Sequence, residues 1–234
     1  MKNKEKFRII KVRGRDLSLR IRRNSQAQRM ILRVDSDIGG ASVTLPLRTS
    51  EREALLMVQE KSDWLFTRLD SIPPKVRFED GAQIPILGEY YTIYHAPYQG
   101  EVAIRIDKKI HMGGRKEHLA RRLRDWLRRE AKNIIQPKAI EMANELNKKV
   151  GRITIRDTKS RWGSCSTSGN LSFCWRLILT PEWVLNYVIA HEVSHLVHMN
   201  HGSEFWKTVE GFNVQVGDAR QWLTENREHI QRYG

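Results

Sequence analysis

The stretch from Arg115 to Lys149 holds no glycine and a single proline, Pro137. With so few breakers the backbone has little alternative to helix. Leu119, Leu123, Trp126, Leu127, Ile134 and Ile135 recur at helical spacing, interleaved with Arg121, Arg122, Arg124, Arg128, Arg129 and Lys132. The pattern predicts one long amphipathic helix, or a pair broken at the proline. Its basic side reads as a solvated face or as a surface for an anionic ligand.

Upstream, the chain is strand-rich. Arg29–Val34 and Ala41–Pro46 cluster apolar residues on either side of the turn signal Gly39-Gly40. Thr49 or Ser50 can cap a helix with Glu51 and Glu53 in its positive first turn and Leu55, Val58, Trp64, Leu65 and Leu69 at helical spacing, closed by Pro73-Pro74. Ile84–Tyr94, turning at Gly88-Glu89, and Val102–Met112 complete the region. The composition changes at Gly113-Gly114. An α+β fold is expected, with residues 1–113 as a β-rich N-terminal accessory region and 114–234 as the catalytic domain.

Beyond Gly151, Ile153 and Ile155, then Leu171, Phe173 and Trp175, alternate around a polar middle and predict a hairpin with an elaborated loop. Thr180-Pro181-Glu182 supplies an N-cap, a proline at the first helical position and a carboxylate in the first turn, opening an amphipathic helix through His191 and His195. Phe205, Trp206, Val209, Phe212, Trp222 and Ile230 point to two further helices parted near Gly217.

The chemistry is concentrated in His191-Glu192-Val193-Ser194-His195. Side chains four apart on a helix share a face, so the two rings can each direct a nitrogen to one ion about 2.0 to 2.1 Å away. Glu192 is rotated about 100° from His191, which leaves its carboxylate free to reach a water at that ion, as a general base must. A catalytic zinc needs a third protein ligand. His198 and His201 are the candidates. On a continuing helix His198 lies about 4.5 Å further along the axis, beyond the ion, whereas a helix ending near Asn200 and Gly202 swings His201 back towards it. His201 is therefore favoured.

A net charge of +14 raises the prospect of a polyanionic partner. The two cysteines, Cys165 and Cys174, are too few for a disulfide framework and read as reduced thiols. The basic start Met1–Lys6 lacks an apolar core after it, and no apolar run approaches the roughly 20 residues of a membrane span, so a cytoplasmic protein with no membrane partner is expected.

The motif belongs to a set of four blocks, Lys159–Cys165, Leu177–Pro181, Tyr187–His195 and Asn200–Trp206. Together they resemble the YgjP-like metallopeptidase domain family, which is related to the SprT-like zincins. The resemblance extends upstream through Arg128–Ala131 and Gly81–Gly88. It implies a zincin-like core of helices and a β-hairpin, Zn2+ held by His191, His195 and His201, and Glu192 as the catalytic residue. Val193-Ser194 stands where the related pattern more often has Leu-Ala.

The leading expectation is a zinc-dependent metallopeptidase acting on peptide or protein, with the hairpin aligning an extended substrate. Arg161 is a candidate to hold a substrate anion or an oxyanion, with Trp162 packing and Gly163 turning the loop as the structural alternative. A second expectation is hydrolysis of a nucleotide phosphoanhydride, with Arg121, Arg122, Lys159 or Arg161 on the phosphates. A third is a DNA-associated protease or a nucleic-acid binding protein, although no helix-turn-helix, zinc-finger or RNA-recognition signature is present.

Overall fold

The computed structural model describes residues 5–35, 38–98, 100 and 103–234. Met1–Lys4 and Val102, used in the sequence reading, lie outside this set. The described residues form two compact units, Met1–Pro73 and Pro74–Gly234.

In the first unit, strands β1 (Glu5–Val12), β2 (Arg15–Arg23), β3 (Ile31–Asp35) and β4 (Gly40–Leu45) make a sheet in the order β1-β2-β4-β3. Helices α1 (Glu51–Glu60) and α2 (Ser62–Asp70) complete the unit. Its core gathers Leu17, Leu19, Ile21, Val43, Leu45, Val58 and Leu65. Ser50 rather than Thr49 caps α1, through a reciprocal capping box with Glu53.

The second unit opens with β5 (Gln83–Ile86), β6 (Glu89–His95), β7 (Ile104–Ile106) and β8 (Lys109–Met112), ordered β5-β6-β8-β7. The turn between β5 and β6 is Leu87-Gly88, both at positive φ, one residue earlier than expected. The boundary expected at Gly113 falls instead at Pro73-Pro74. The reason is packing: Ile84, Ile86, Ile93, Ile110 and Met112 enter the same core as Leu119, Leu123 and Trp126. Leu87 N–H also donates to the Ile178 carbonyl at 2.9 Å, joining β5 to the segment ahead of the motif helix.

Helix α3 (Leu119–Glu145) runs unbroken through Pro137. Leu119, Leu123, Leu127, Ala131, Ile135, Ala139 and Ala143 form one buried stripe at four-residue intervals, and that packing outweighs the roughly 3 kcal/mol a helical proline costs. The small alanines in the stripe allow close approach of a neighbouring helix.

Next come β9 (Ile153–Arg156), β10 (Gly163–Cys165) and β11 (Leu171–Cys174), ordered β10-β11-β9. The Ile153 and Leu171 strands do not form the expected hairpin. Those strands pair in parallel, and the antiparallel hairpin is β10 with β11. Trp175 belongs to a 3-10 turn, Trp175–Leu179, rather than to a strand. Within that turn Arg176 is buried, donates to the Tyr233 carbonyl at 3.2 Å and pairs with Asp157, which also meets Arg128 at 3.4 Å. Burial would raise the Asp157 pKa, but the Arg176 hydrogen bond and charge outweigh it and hold the carboxyl below its ordinary range.

Helix α4 (Glu182–Ser194) carries the motif. Thr180 does not cap it, since its hydroxyl donates to the Leu177 carbonyl at 2.8 Å. Nor is α4 amphipathic in the expected way: Val184, Leu185, Tyr187, Val188, Ile189, Ala190 and Val193 are buried around most of its circumference. A helix apolar nearly all round is a central core element, and its position is correspondingly fixed. Helices α5 (Ser203–Glu210), α6 (Val216–Glu225) and α7 (Arg227–Gln231) follow, three rather than two, with Gly217 inside α6.

Candidate metal centre

The motif histidines sit at the end of α4, where the helix stops at Ser194 and His195 is its C-cap. This is earlier than the sequence suggested, and it settles the geometry of the downstream histidines. The chain turns through residues 195–202 and re-enters helix at Ser203, carrying His201 back over His191. His191, His195 and His201 each present a ring nitrogen, all within 4.8 Å of one another. The Nε2 atoms of His191 and His201 are 3.2 Å apart. Two nitrogens bound tetrahedrally to one ion at 2.0 to 2.1 Å would stand about 3.4 Å apart, so the His191 and His201 pair fits a shared small cation with little adjustment.

The His198 ring is not in this cluster. Its backbone enters the site instead, because the His198 carbonyl lies 2.9 Å from His195 Nδ1. With the proton on Nδ1 donating to that carbonyl, His195 Nε2 is left bare for a cation. His191 Nδ1 is buried without a hydrogen-bond partner among the described residues.

Phe205, fully buried at the start of α5, touches all three rings, with centroid separations of 5.0, 4.6 and 4.7 Å to His191, His195 and His201. Trp206 adds a second wall beside His191 and His201. This apolar surround favours the neutral form of His191 and His195. Burial, together with the neighbouring His195, His201 and Arg220 charges, pushes the His191 pKa down to about 4. Burial also lowers that of His195, outweighing the His198 carbonyl, which raises it. Neutral imidazole is the form that binds a metal.

Glu192, 7% exposed, points from α4 towards β10. Burial pushes its carboxyl up to about 7, opposed by the Arg161 guanidinium. The neighbour that makes room for it is Gly163. A Cβ there would stand 2.5 Å from both Cγ and Oε1 of Glu192 and 2.7 Å from Cδ. Glycine in β10 is thus required by the close approach of the Glu192 side chain rather than by the turn expected of it. Gly163→Ala should displace that carboxylate while leaving the histidines intact. We expect kcat to fall by about 10²-fold, the scale of an ångström of misplacement, with metal content unchanged in the same preparation.

Arg161 shares a cavity with Gly163 and Cys165 and acts electrostatically on Glu192. Burial and then the Glu192 charge push the Cys165 thiol up to about 11, so it is protonated at neutral pH and unsuited to be a nucleophile or ligand. Cys174 is buried and donates to the Thr158 carbonyl at 3.2 Å. Trp162 packs against the core. Of the other cations considered for phosphate, Arg121 pairs with Asp125 at 3.4 Å and Arg122 donates to the Gly113 carbonyl.

A model of the YgjP-like metallopeptidase domain matches residues 28–226. The chain belongs to this family. It is a metal-dependent hydrolase. Two solved structures of metallopeptidase zymogens also match the YgjP-like chain, each at 20% identity. That of Pyrococcus abyssi abylysin has a TM-score of 0.36 and covers 43% of this chain and 98% of its own. That of Methanocaldococcus jannaschii jannalysin has a TM-score of 0.35, with 41% and 95% covered. No curated protein matches. Among the described residues, no helix is long and apolar enough to cross a membrane.

Proposed function

We propose that this chain is a zinc-dependent metallopeptidase in which His191, His195 and His201 hold the ion and Glu192 is the catalytic acid–base. The convergence of three ring nitrogens within 4.8 Å beside a buried carboxyl carries the reading. An all-imidazole donor set suits Zn2+ among the biological divalent ions, and three protein ligands leave a position open for catalysis. An ion bound there polarises a carbonyl oxygen and acidifies water.

The protein's own groups divide the remaining work. A carboxyl whose pKa burial has pushed up to about 7 is matched to taking a proton from the attacking water and returning it to the leaving amide nitrogen. Gly163 lets that carboxyl lie against β10. Strand β10 is the edge of its sheet and pairs with β11 on one side, which leaves its other edge to align an extended peptide by β-augmentation. Arg161, beside Glu192, is assigned to an anionic group of the substrate.

The test is a screen of zinc-loaded full chain against an unfolded protein and a mixed peptide library. Peptide-bond cleavage should appear, vanish on chelation and return with added zinc. Hydrolysis of nucleoside triphosphates without any peptide cleavage would overturn the peptidase reading.

A further inference from the structure

Outside the histidine cluster, a cavity of about 640 Å³ lies on the three-stranded sheet. Its lining joins three arginines, Arg152, Arg156 and Arg161, to a row of hydroxyls. Ser164 of β10 pairs with Ser172 of β11, and Ser172 pairs with Thr154 of β9, so the three hydroxyls lie in register straight across the sheet. Arg152 and Arg156 are two positions either side of Thr154. Strand alternation puts all three on the same face.

The three arginines are exposed, and no carboxylate pairs with Arg152 or Arg156 among the described residues. The nearest acid in sequence, Asp157, is committed to Arg176 and Arg128. Guanidinium groups gathered round a hydroxyl-lined hollow repel one another until an anion joins them, and their forked donors match a carboxylate. The net charge of +14 adds a long-range attraction of the same sign.

The cavity also has a defined relation to the metal centre. Gly163 and Cys165 of β10 line it, and Gly163 is the residue against which Glu192 lies. An extended peptide on the free edge of β10 sends alternate side chains to the two faces of the sheet, so every second one is presented on the face of Ser164.

We propose that this cavity is a specificity subsite for acidic side chains of the polypeptide bound along β10, with Arg152 and Arg156 as the residues that select them and Arg161 linking the subsite to Glu192. The assignment rests on the peptidase reading above for the presence of a peptide on β10. The chemistry of the cavity itself does not depend on it.

The test compares a labelled peptide carrying Asp and Glu at alternate positions with its Asn and Gln counterpart. Binding to the zinc-loaded Glu192→Gln chain is followed by fluorescence anisotropy, and cleavage is followed with wild type. The acidic peptide should bind at least about 10-fold more tightly, in keeping with two charge-assisted contacts. The gap should close when Arg152→Ala and Arg156→Ala are added and persist when both are replaced by Lys, which keeps the charge and controls for folding. Equal binding of the two peptides, or a gap that survives the double alanine variant, would overturn the subsite. Displacement of the acidic peptide by equimolar inorganic phosphate would also overturn it and assign the cavity to phosphate. Arginine-dependent binding of the acidic peptide with no cleavage by wild type would uphold the subsite and overturn the peptidase reading. Cleavage of both peptides at equal rates would do the reverse.

Discussion

Glu192→Gln should lower peptide hydrolysis by about 10² to 10⁴-fold, the range a positioned acid–base supplies, while metal content stays at the wild-type level. The substitution keeps volume and removes the ability to take a proton. It also avoids leaving a void against Gly163, where the Glu192 Cγ and Oε1 occupy the space a Cβ would need. The side chain is 7% exposed, so the amide inherits a largely dry environment, and Arg161 loses the carboxylate it faces. KM should change less than kcat, because the proton transfer belongs to the transition state. Single-turnover rates alongside zinc analysis check the result. Loss of activity together with loss of zinc would instead make Glu192 a ligand.

The site was legible in the sequence because its first two histidines are fixed by helix geometry alone: four residues on one helix put His191 and His195 on one face whatever the rest of the chain does. The third histidine depended on where the helix stops. The sequence offered Asn200 and Gly202 as the stop, yet α4 ends at Ser194 and the following turn is held by the His198 carbonyl on His195 Nδ1. His198 thus matters through its backbone, a role that no side-chain pattern can announce. Phe205 was readable as an apolar helix residue but not as the surface shared by all three rings, since that requires knowing how α5 returns over α4. For Gly163 a signal did exist. A glycine inside a short strand often marks a close approach, and here the approaching group is Glu192.

Local chemistry was similarly readable where it is local. The Ser50 and Glu53 capping box and the turn next to Gly88 follow from a few adjacent residues. The parallel pairing of β9 with β11 and the boundary at Pro73-Pro74 do not, because both are decided by long-range packing. Alternation in Ile153–Ile155 and Leu171–Phe173 says that each is a strand and is silent on the direction in which they pair. Likewise the strands between Gln83 and Met112 look like an extension of the N-terminal sheet until their isoleucines are seen in the core of α3.

His201→Ala should lower zinc affinity by well over the roughly 10² that loss of a supporting contact costs, since it removes one of only three ring nitrogens from the cluster. His201 is exposed, so its removal leaves no buried void and the fold should persist. His198→Ala keeps the carbonyl that meets His195 and serves as the matched control. The decisive measurement is zinc stoichiometry of purified wild type, His198→Ala and His201→Ala after dialysis against a weak chelator. One ion per chain in the first two and close to none in the third is the result predicted, whereas a full complement of zinc in His201→Ala would contradict the three-histidine centre.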